Sequence, residues 1–111
     1  EVTNIIADEA KDVINVSSEG ISLSGFSVSG GGRFDAGILI RADNITVTRV
    51  NCSDNGIGIS IMKGEFTTIR ESSIYNNTIG IKIKSDNSTI SGNIISGGQS
   101  GIRIEGVFNG N

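Results

Sequence analysis

One apolar pair recurs along the chain at a nearly constant spacing. Its form is Ile-x-Ile or Ile-x-Val, and successive first members lie 21 to 24 residues apart. The five pairs are Ile14/Val16, Ile38/Ile40, Ile59/Ile61, Ile81/Ile83 and Ile102/Ile104. A fixed period of this length is typical of a repeat architecture, in which each unit packs only on its neighbours. The spacing therefore predicts a solenoid.

Each repeat contains two more alternating apolar segments. An apolar residue follows the second member of the pair by seven positions in three units, and by eight in the third unit, which therefore has one inserted residue. These residues are Leu23, Val47, Ile69 and Ile90. Further inward positions come three and five residues later, and Val2, Ile5 and Ala7 fit the same spacing. Alternation with a period of two is typical of half-buried strands, whereas the density of Gly, Asn, Ser and Thr disfavours helices.

The fold class predicted is all-β, a right-handed parallel β-helix with three short strands per coil. Four to five coils of 21–24 residues would stack equivalent residues into two core columns. The columns are Ile14, Ile38, Ile59, Ile81 and Ile102, and Val16, Ile40, Ile61, Ile83 and Ile104.

The turns contain recurring glycines and asparagines. Four of the five pairs follow a glycine, namely Gly37, Gly58, Gly80 and Gly101. Such glycines either take a positive φ or let coils approach closely. Asn55 and Asn77 are predicted turn residues in the left-handed conformation, with side chains that hydrogen-bond the backbone of the adjacent coil.

Residues 37–55, 57–77 and 79–98 carry a family resemblance. They share a Gly-Ile-x-Ile type of pair, then a Thr-Ile or Thr-Val strand, then an Asn or Gly turn. This pattern resembles the right-handed parallel β-helix repeats of the pectin-lyase-like superfamily, and within it the NosD-like or PbH1 repeats. The resemblance covers nearly the whole chain and implies the fold. It implies little about function, because such repeats occur in lyases, hydrolases, epimerases and surface proteins.

Residues 1–111 are expected to form a single β-helix domain, as a segment of a longer protein. The pattern begins and stops in the middle of a coil, so residues 1–11 are predicted to be an N-terminal cap or a partial coil. Unpaired strand edges at solenoid ends need protection. The alternatives are caps at both ends or self-association through open ends.

Composition excludes several kinds of site. The net charge of −3 without a basic run argues against nucleic acid as a partner, and no apolar stretch is long enough to span a membrane. Because there is no histidine, the usual zinc sites, Ser-His-Asp triads and type-1 copper sites are excluded. The copper association of NosD therefore does not transfer. The single cysteine, Cys52, is predicted to be a core residue.

No catalytic residue is predicted. The outward column of the first strand consists of Asn15, Leu39, Ser60, Lys82 and Arg103, without a carboxylate. If the resemblance extended to activity, a polygalacturonase-like hydrolase would need paired carboxylates. A pectate lyase would need a Ca²⁺-binding acidic cluster with an arginine. Neither set can be placed on one face from the sequence, so enzymatic activity stays open, with the balance toward none.

An acidic turn follows the Ile pair in four coils. Its carboxylates are Glu19, Asp43, Glu65 and Asp86, beside Arg41, Lys63 and Lys84. One interpretation is a Ca²⁺ site, because this ion takes several oxygen ligands. The other is a charged turn whose cations offset the repulsion, in which case no cofactor is expected.

Arg33 and Phe34 follow three glycines in the longest coil. An aromatic ring and a cation on an irregular loop are candidate sugar-binding residues. Alternatively, Phe34 folds back to cover the first coils.

The leading hypothesis is a non-catalytic β-helix module, structural or facing a carbohydrate, from an exported or cell-surface protein. Its partner would be a polysaccharide. The alternatives are a fragment of a polysaccharide lyase, hydrolase or epimerase that lacks its catalytic coils, and a Ca²⁺-stabilised repeat. An extracellular location is consistent with five glycosylation sequons, at Asn15, Asn44, Asn51, Asn76 and Asn87.

Overall fold

The computed structural model describes residues 3–6, 12–106 and 110–111. In this part of the chain every regular element is a strand, and no helix is long and apolar enough to cross a membrane. The strands are β1 (Thr3–Ile6), β2 (Ile14–Val16), β3 (Ser22–Ser24), β4 (Phe26–Ser29), β5 (Ala36–Ile40), β6 (Thr46–Thr48), β7 (Asn51–Ser53), β8 (Ile57–Ile61), β9 (Thr68–Arg70), β10 (Ser73–Tyr75), β11 (Ile79–Ile83), β12 (Thr89–Ser91), β13 (Ile94–Ser96) and β14 (Ser100–Ile104).

The strands form three parallel sheets. Sheet A has the order β1-β4-β7-β10-β13, sheet B has the order β2-β5-β8-β11-β14, and sheet C has the order β3-β6-β9-β12. Each strand pairs with the equivalent strand one coil away. The predicted β-helix is confirmed, with about four turns.

The core columns have the predicted register, but they end earlier than predicted. Ile38, Ile59 and Ile81 pair successively, and all three are fully buried. Ile102 and Ile104 continue the register on β14, yet they are 48% and 50% exposed. Their assignment to the core was wrong, because β14 is the edge of sheet B and no described strand covers it.

The register at the N-terminus also differs from the prediction. Ile5 pairs with Val28 and Thr3 with Phe26, whereas the spacing had matched Ile5 to Phe26. The observed pairing is shifted by two residues from the predicted one. Because side chains alternate with a period of two, this shift does not change which residues face the core. Residues 3–6 therefore form a strand of a preceding coil. The other residues of the predicted cap at 1–11 lie outside the described part of the chain.

Each coil turns at three corners, and most of these corners contain one residue with a positive φ. The non-glycine residues of this kind are Asn44, Arg49, Asp54, Phe66, Glu71, Asn76 and Asn87. A single residue in the left-handed region departs from the extended conformation and therefore ends a strand. Asn55 and Asn77 were predicted to adopt this conformation, and that was wrong: the residues before them, Asp54 and Asn76, adopt it instead.

The glycines before the Ile pairs allow close approach between coils. A Cβ on Gly58 would lie 2.5 Å from the carbonyl oxygen of Gly80, and one on Gly80 would lie 2.6 Å from that of Gly101. Neither glycine has a positive φ. The inserted residue of the third unit is accommodated at Gly64, which has a φ of 105° and lies directly against the backbone of Ala42.

Asparagine side chains form hydrogen bonds to two backbone groups at one corner of the preceding coil, an arrangement that we term an asparagine bracket. Asn77 is 2% exposed; its Oδ1 accepts from the backbone N–H of Asn55 at 2.9 Å, and its Nδ2 donates to the carbonyl of Cys52 at 3.1 Å. The predicted bonding of Asn77 to the adjacent coil is confirmed. Asn55 does the same in part, since its Oδ1 accepts from the N–H of Gly31 at 2.8 Å.

The same bracket occurs at the other two corners. Asn93 accepts from the N–H of Ser72 and donates to the carbonyl of Ile69, both at 2.9 Å. Asn111 accepts from the N–H of Ser88 and donates to the carbonyl of Ser85, both at 2.8 Å. In all three brackets the acceptor carbonyl belongs to the residue three positions before the donor N–H. One side chain therefore satisfies both polar groups of a turn.

Replacement of Asn77 tests the bracket. Asn77→Ala is expected to lower the free energy of unfolding by about 2 kcal/mol, because it leaves the buried N–H of Asn55 without its partner and removes one of the bonds to the buried carbonyl of Cys52. The measurement is urea denaturation followed by circular dichroism. Asn15→Ala is the control, since Asn15 is exposed, and it should change stability little. Equal losses in both variants would contradict the role of the bracket.

Phe66 occupies a corner in a backbone conformation that is unfavourable for a phenylalanine. It has a φ of 63° and its side chain is 58% exposed, while the equivalent residues Asn44 and Asn87 are of a type that tolerates this conformation. Phe66→Asn is expected to raise the free energy of unfolding by about 1 kcal/mol, measured by urea denaturation. Tyr75→Asn removes an exposed aromatic from a strand and should give no gain; a gain there too would argue against backbone strain as the cause.

Candidate binding face on sheet B

The outer side of sheet B carries two rows of side chains, one residue from each coil. The first row contains Asn15, Leu39, Ser60, Lys82 and Arg103, which pair in register. The second row lies two residues further on, where the backbone N–H groups of Arg41, Met62, Lys84 and Glu105 bond to the strand of the preceding coil. Lysine and arginine thus face outward on neighbouring coils of one sheet.

A bend at the start of the strands turns two isoleucines outward. A Cβ on Gly58 would point at the Ile74 side chain inside the solenoid, so the side chain before it, Ile57, points away from the core. Ile57 and Ile79 pair with one another and are partly exposed. Strict alternation would place them inside with Ile59 and Ile81, which is why the sequence pattern did not identify them as surface residues.

Two hollows lie on this face, on either side of Phe34. The first has a volume of about 270 Å³ and includes Asp12, Asp35, Leu39 and Arg41. The second has a volume of about 420 Å³ and includes Arg33, Ile79, Gln99 and Arg103. Both are lined by Phe34, Ile57 and Lys82. Together they make a groove that crosses several coils.

Arg33 and Phe34 project from the loop that precedes β5. Phe34 is 82% exposed, so the alternative that it covers the first coils was wrong. The Arg33 guanidinium carbon lies 5.5 Å from the centre of the Phe34 ring, within the range of a cation–π contact. The loop rests on Gly56, where a Cβ would clash with the Arg33 carbonyl. The sugar-binding role of this pair stays a prediction.

The groove also contains two carboxylates that the strand pattern does not reveal. Asp12 and Asp35 line the first hollow, although the outward strand column itself has none. They belong to the turns before β2 and β5, outside the strand columns. Asp12 Oδ1 accepts from the backbone N–H of Ala36 at 2.7 Å, so one of its oxygens fixes the adjacent coil.

Glu105 sits among three cations. Its carboxylate lies 3.3 Å from Lys82 Nζ, 3.5 Å from Lys84 Nζ and 3.7 Å from the nearest Arg103 nitrogen. The hydrogen bond from Lys82, together with the charges of Lys82 and Lys84, lowers the pKa of Glu105. This arrangement shows that a carboxylate fits between the basic side chains of this face.

The acidic turn does not form a converged donor set. Asp43 Oδ1 accepts from the backbone N–H of Glu65 at 2.8 Å, and Glu65 Oε1 accepts from Asn87 Nδ2 at 3.3 Å. Glu19, Asp43 and Glu65 are exposed, and among the described residues no group of three or more acidic, cysteine or histidine side chains is arranged to hold a metal ion. These contacts favour the interpretation as a charged turn.

Cys52 lies in the core between Val28 and Ile74 of the neighbouring coils. It is fully buried, and burial raises the pKa of its thiol to about 12. The thiol is therefore neutral over the physiological range and takes no part in the outer face.

Comparison with known proteins identifies a family and no individual relative. The profile of the family described as right-handed beta helix region matches residues 2–111. Neither the curated proteins nor the solved structures gave a match to this chain.

The ion pairs of Glu105 predict a measurable titration. A lowered pKa in the folded state means that Glu105 contributes stability above its unfolded pKa, and that this contribution is lost as the pH falls through the folded value. Lys82→Met should raise the pKa of Glu105 toward its ordinary value, measured by carbon NMR of the carboxyl group. Lys63→Met, in a different corner, should leave it unchanged. An unchanged pKa in Lys82→Met would contradict the assigned cause.

Proposed function

The chain belongs to the right-handed β-helix family, and on that premise we propose that it is a non-catalytic module whose sheet B binds an acidic polysaccharide. It would do so as part of an exported or cell-surface protein. The observation that carries the proposal is the groove on sheet B, where an exposed aromatic ring stands beside successive basic side chains.

The groove combines the two kinds of contact that an acidic sugar chain needs. Phe34 offers an exposed flat apolar surface to the apolar face of a sugar ring. Lys82 and Arg103 offer charged donors to carboxylate or sulfate groups. Because strands of neighbouring coils lie about 4.8 Å apart, an extended ligand that runs along the solenoid meets a new row of side chains at each coil.

The charge of the face supports a polysaccharide over a nucleic acid. Within the described part of the chain, five cations line the two hollows, and Asp12, Asp35 and Glu105 lie among or beside them. The chain as a whole has a net charge of −3. Nucleic-acid sites depend on neutralising many phosphates and carry a stronger basic excess.

Surface sequons support a location outside the cell. Asn15, Asn44 and Asn76 are exposed, and each begins an Asn-x-Ser/Thr sequence. Exposure is needed for such an asparagine to accept a glycan in a folded protein.

A polysaccharide-cleaving activity is the second candidate. Asp12 and Asp35 in the same hollow as Lys82 favour it, since glycoside hydrolysis uses a pair of carboxyl groups. One oxygen of Asp12 is already bonded to the backbone of Ala36, which favours a positioning role for this carboxylate over a catalytic one.

Binding of acidic polysaccharides tests the proposal. Affinity electrophoresis in gels containing a uronate polymer, a sulfated polymer or a neutral glucan should show retardation in the two acidic gels only, weakened by salt. Phe34→Ala should weaken binding about tenfold through loss of the stacking surface. Phe66→Ala is the matched control, because Phe66 is also exposed but lies in a different corner.

Three outcomes would contradict the proposal as stated. Absence of retardation would remove the binding face, and equal effects of Phe34→Ala and Phe66→Ala would place the site elsewhere. Release of new reducing ends or unsaturated products from the same polymers, lost in Asp35→Asn, would establish the second candidate.

A further inference from the structure

Three successive coils turn from sheet B to sheet C through equivalent residues, Asn44, Phe66 and Asn87. Each lies two residues before a threonine of sheet C, and these threonines pair in register. The φ angles of the three residues are 57°, 63° and 55°. Because equivalent residues of neighbouring coils lie about 4.8 Å apart, Phe66 has an asparagine on either side. Both asparagines begin an Asn-x-Thr sequence.

Phe66 is unfavourable in this corner in two respects. Its side chain is 58% exposed, so most of its apolar ring remains in contact with water. Its backbone adopts the left-handed conformation, which a phenylalanine tolerates poorly. The residue also lies outside the groove of sheet B. An exposed ring in a strained conformation points to a function that the packing of the chain does not explain.

The two flanking asparagines differ in whether the side-chain amide is accessible. Asn44 is exposed, and within the described part of the chain no hydrogen bond holds its side chain. Asn87 Nδ2 donates to Glu65 Oε1 at 3.3 Å, and Asn87 Oδ1 leaves no room for a Cβ on Gly110. The Asn44 amide is therefore open to modification, whereas the Asn87 amide is engaged.

The remaining three sequons are less suitable than the one at Asn44. The Asn51 amide donates to a serine of the preceding coil at 3.4 Å. Asn76 Oδ1 lies so near Gly97 that a Cβ on this glycine would be 2.7 Å away. Asn15 lies in the middle of β2, in the first outer row of sheet B, where an attached group would crowd the proposed binding face. Asn44 thus has both a free amide and a position away from that face.

We propose that Asn44 is a glycan attachment site and that the first sugar of the glycan packs on the Phe66 ring. The proposal rests on the exported location given under the proposed function, but it is independent of the groove on sheet B. On the other side of Asn44, the equivalent corner residue is Gly20, which offers no side chain. Phe66 is therefore the neighbour that a sugar on Asn44 meets. The apolar face of a pyranose covers the exposed ring and removes it from water.

The modification is a group transfer from an activated sugar. The donor is an oligosaccharide joined through its first carbon to a lipid phosphate, and a transferase of the exporting cell catalyses the step. A bond forms between Asn44 Nδ2 and the first carbon as the bond from that carbon to the phosphate oxygen breaks. The lipid phosphate leaves with the electron pair, and the amide nitrogen releases one proton. Thr46, partly exposed on β6, completes the acceptor sequence.

Peptide mapping of the protein purified from the cells that naturally make it tests the attachment site. Trypsin separates the five sequons into five peptides, residues 12–33, 42–49, 50–63, 71–82 and 85–103. Mass spectrometry should find the added mass of an oligosaccharide on peptide 42–49, and Asn44→Gln made in the same cells should lose it. Peptides 50–63 and 85–103 should have their unmodified masses.

Thermal unfolding of the same preparations tests the contact with Phe66. The Tm of the glycosylated protein should exceed that of Asn44→Gln by about 4 °C. In the Phe66→Ala background, the difference between the glycosylated form and its Asn44→Gln counterpart should largely disappear. Phe34→Ala is the matched control, because it removes another exposed ring at a different corner, and the difference should remain there.

The other outcomes overturn the proposal in distinguishable ways. Sugar on other peptides with an unmodified peptide 42–49 would refute the site at Asn44 and leave the exported location in place. Absence of sugar from all five peptides would refute the site and remove the support that the sequons give to that location. Binding of acidic polysaccharides is measured separately and is decided by its own result. A Tm difference that persists in Phe66→Ala would show that the ring does not hold the sugar.

Discussion

The corner of each coil is the constraint on which the structure depends. Most corners turn through one residue in the left-handed conformation, and the next side chain enters the interior. A turn this tight leaves backbone groups inside that cannot bond within their own coil. At Asn77, Asn93 and Asn111 the side chain of the following coil provides the missing partners. Backbone pairing fixes the spacing of the coils, and these brackets hold the corners in the same register.

The outer face of sheet B follows from that packing. Glycines at 58 and 80 let adjacent coils approach until a Cβ would collide with the next carbonyl. The side-chain alternation breaks at these glycines, so that Ile57 faces outward and lines the groove together with Phe34. The same local geometry thus compacts the core and forms the apolar floor of the groove. The basic side chains then need only ordinary alternation along the strand to reach its rim.

Periodicity was sufficient to predict the fold, the three strands per coil and most residues of the core. It failed where one residue breaks the alternation. The outward position of Ile57 could not be predicted, because the alternation breaks at Gly58. Asp12 and Asp35 lie in turns outside the strand columns. The bracket asparagines other than Asn55 and Asn77 did have a signal: Asn93 and Asn111, like those two, directly follow Asp, Asn or Gly at a corner. Ile102 and Ile104 show that a repeat pattern identifies equivalent positions but not which copy has a neighbour above it.

The asparagine brackets all point the same way along the chain. Each one reaches from a later coil to the turn of an earlier coil, across 21 to 26 residues. A turn with such a bracket therefore cannot satisfy its own buried groups when it is made; it depends on residues that leave the ribosome afterwards. The coils should accordingly fold in order from the first toward the last, and the most recently synthesised coil should always be the least stable.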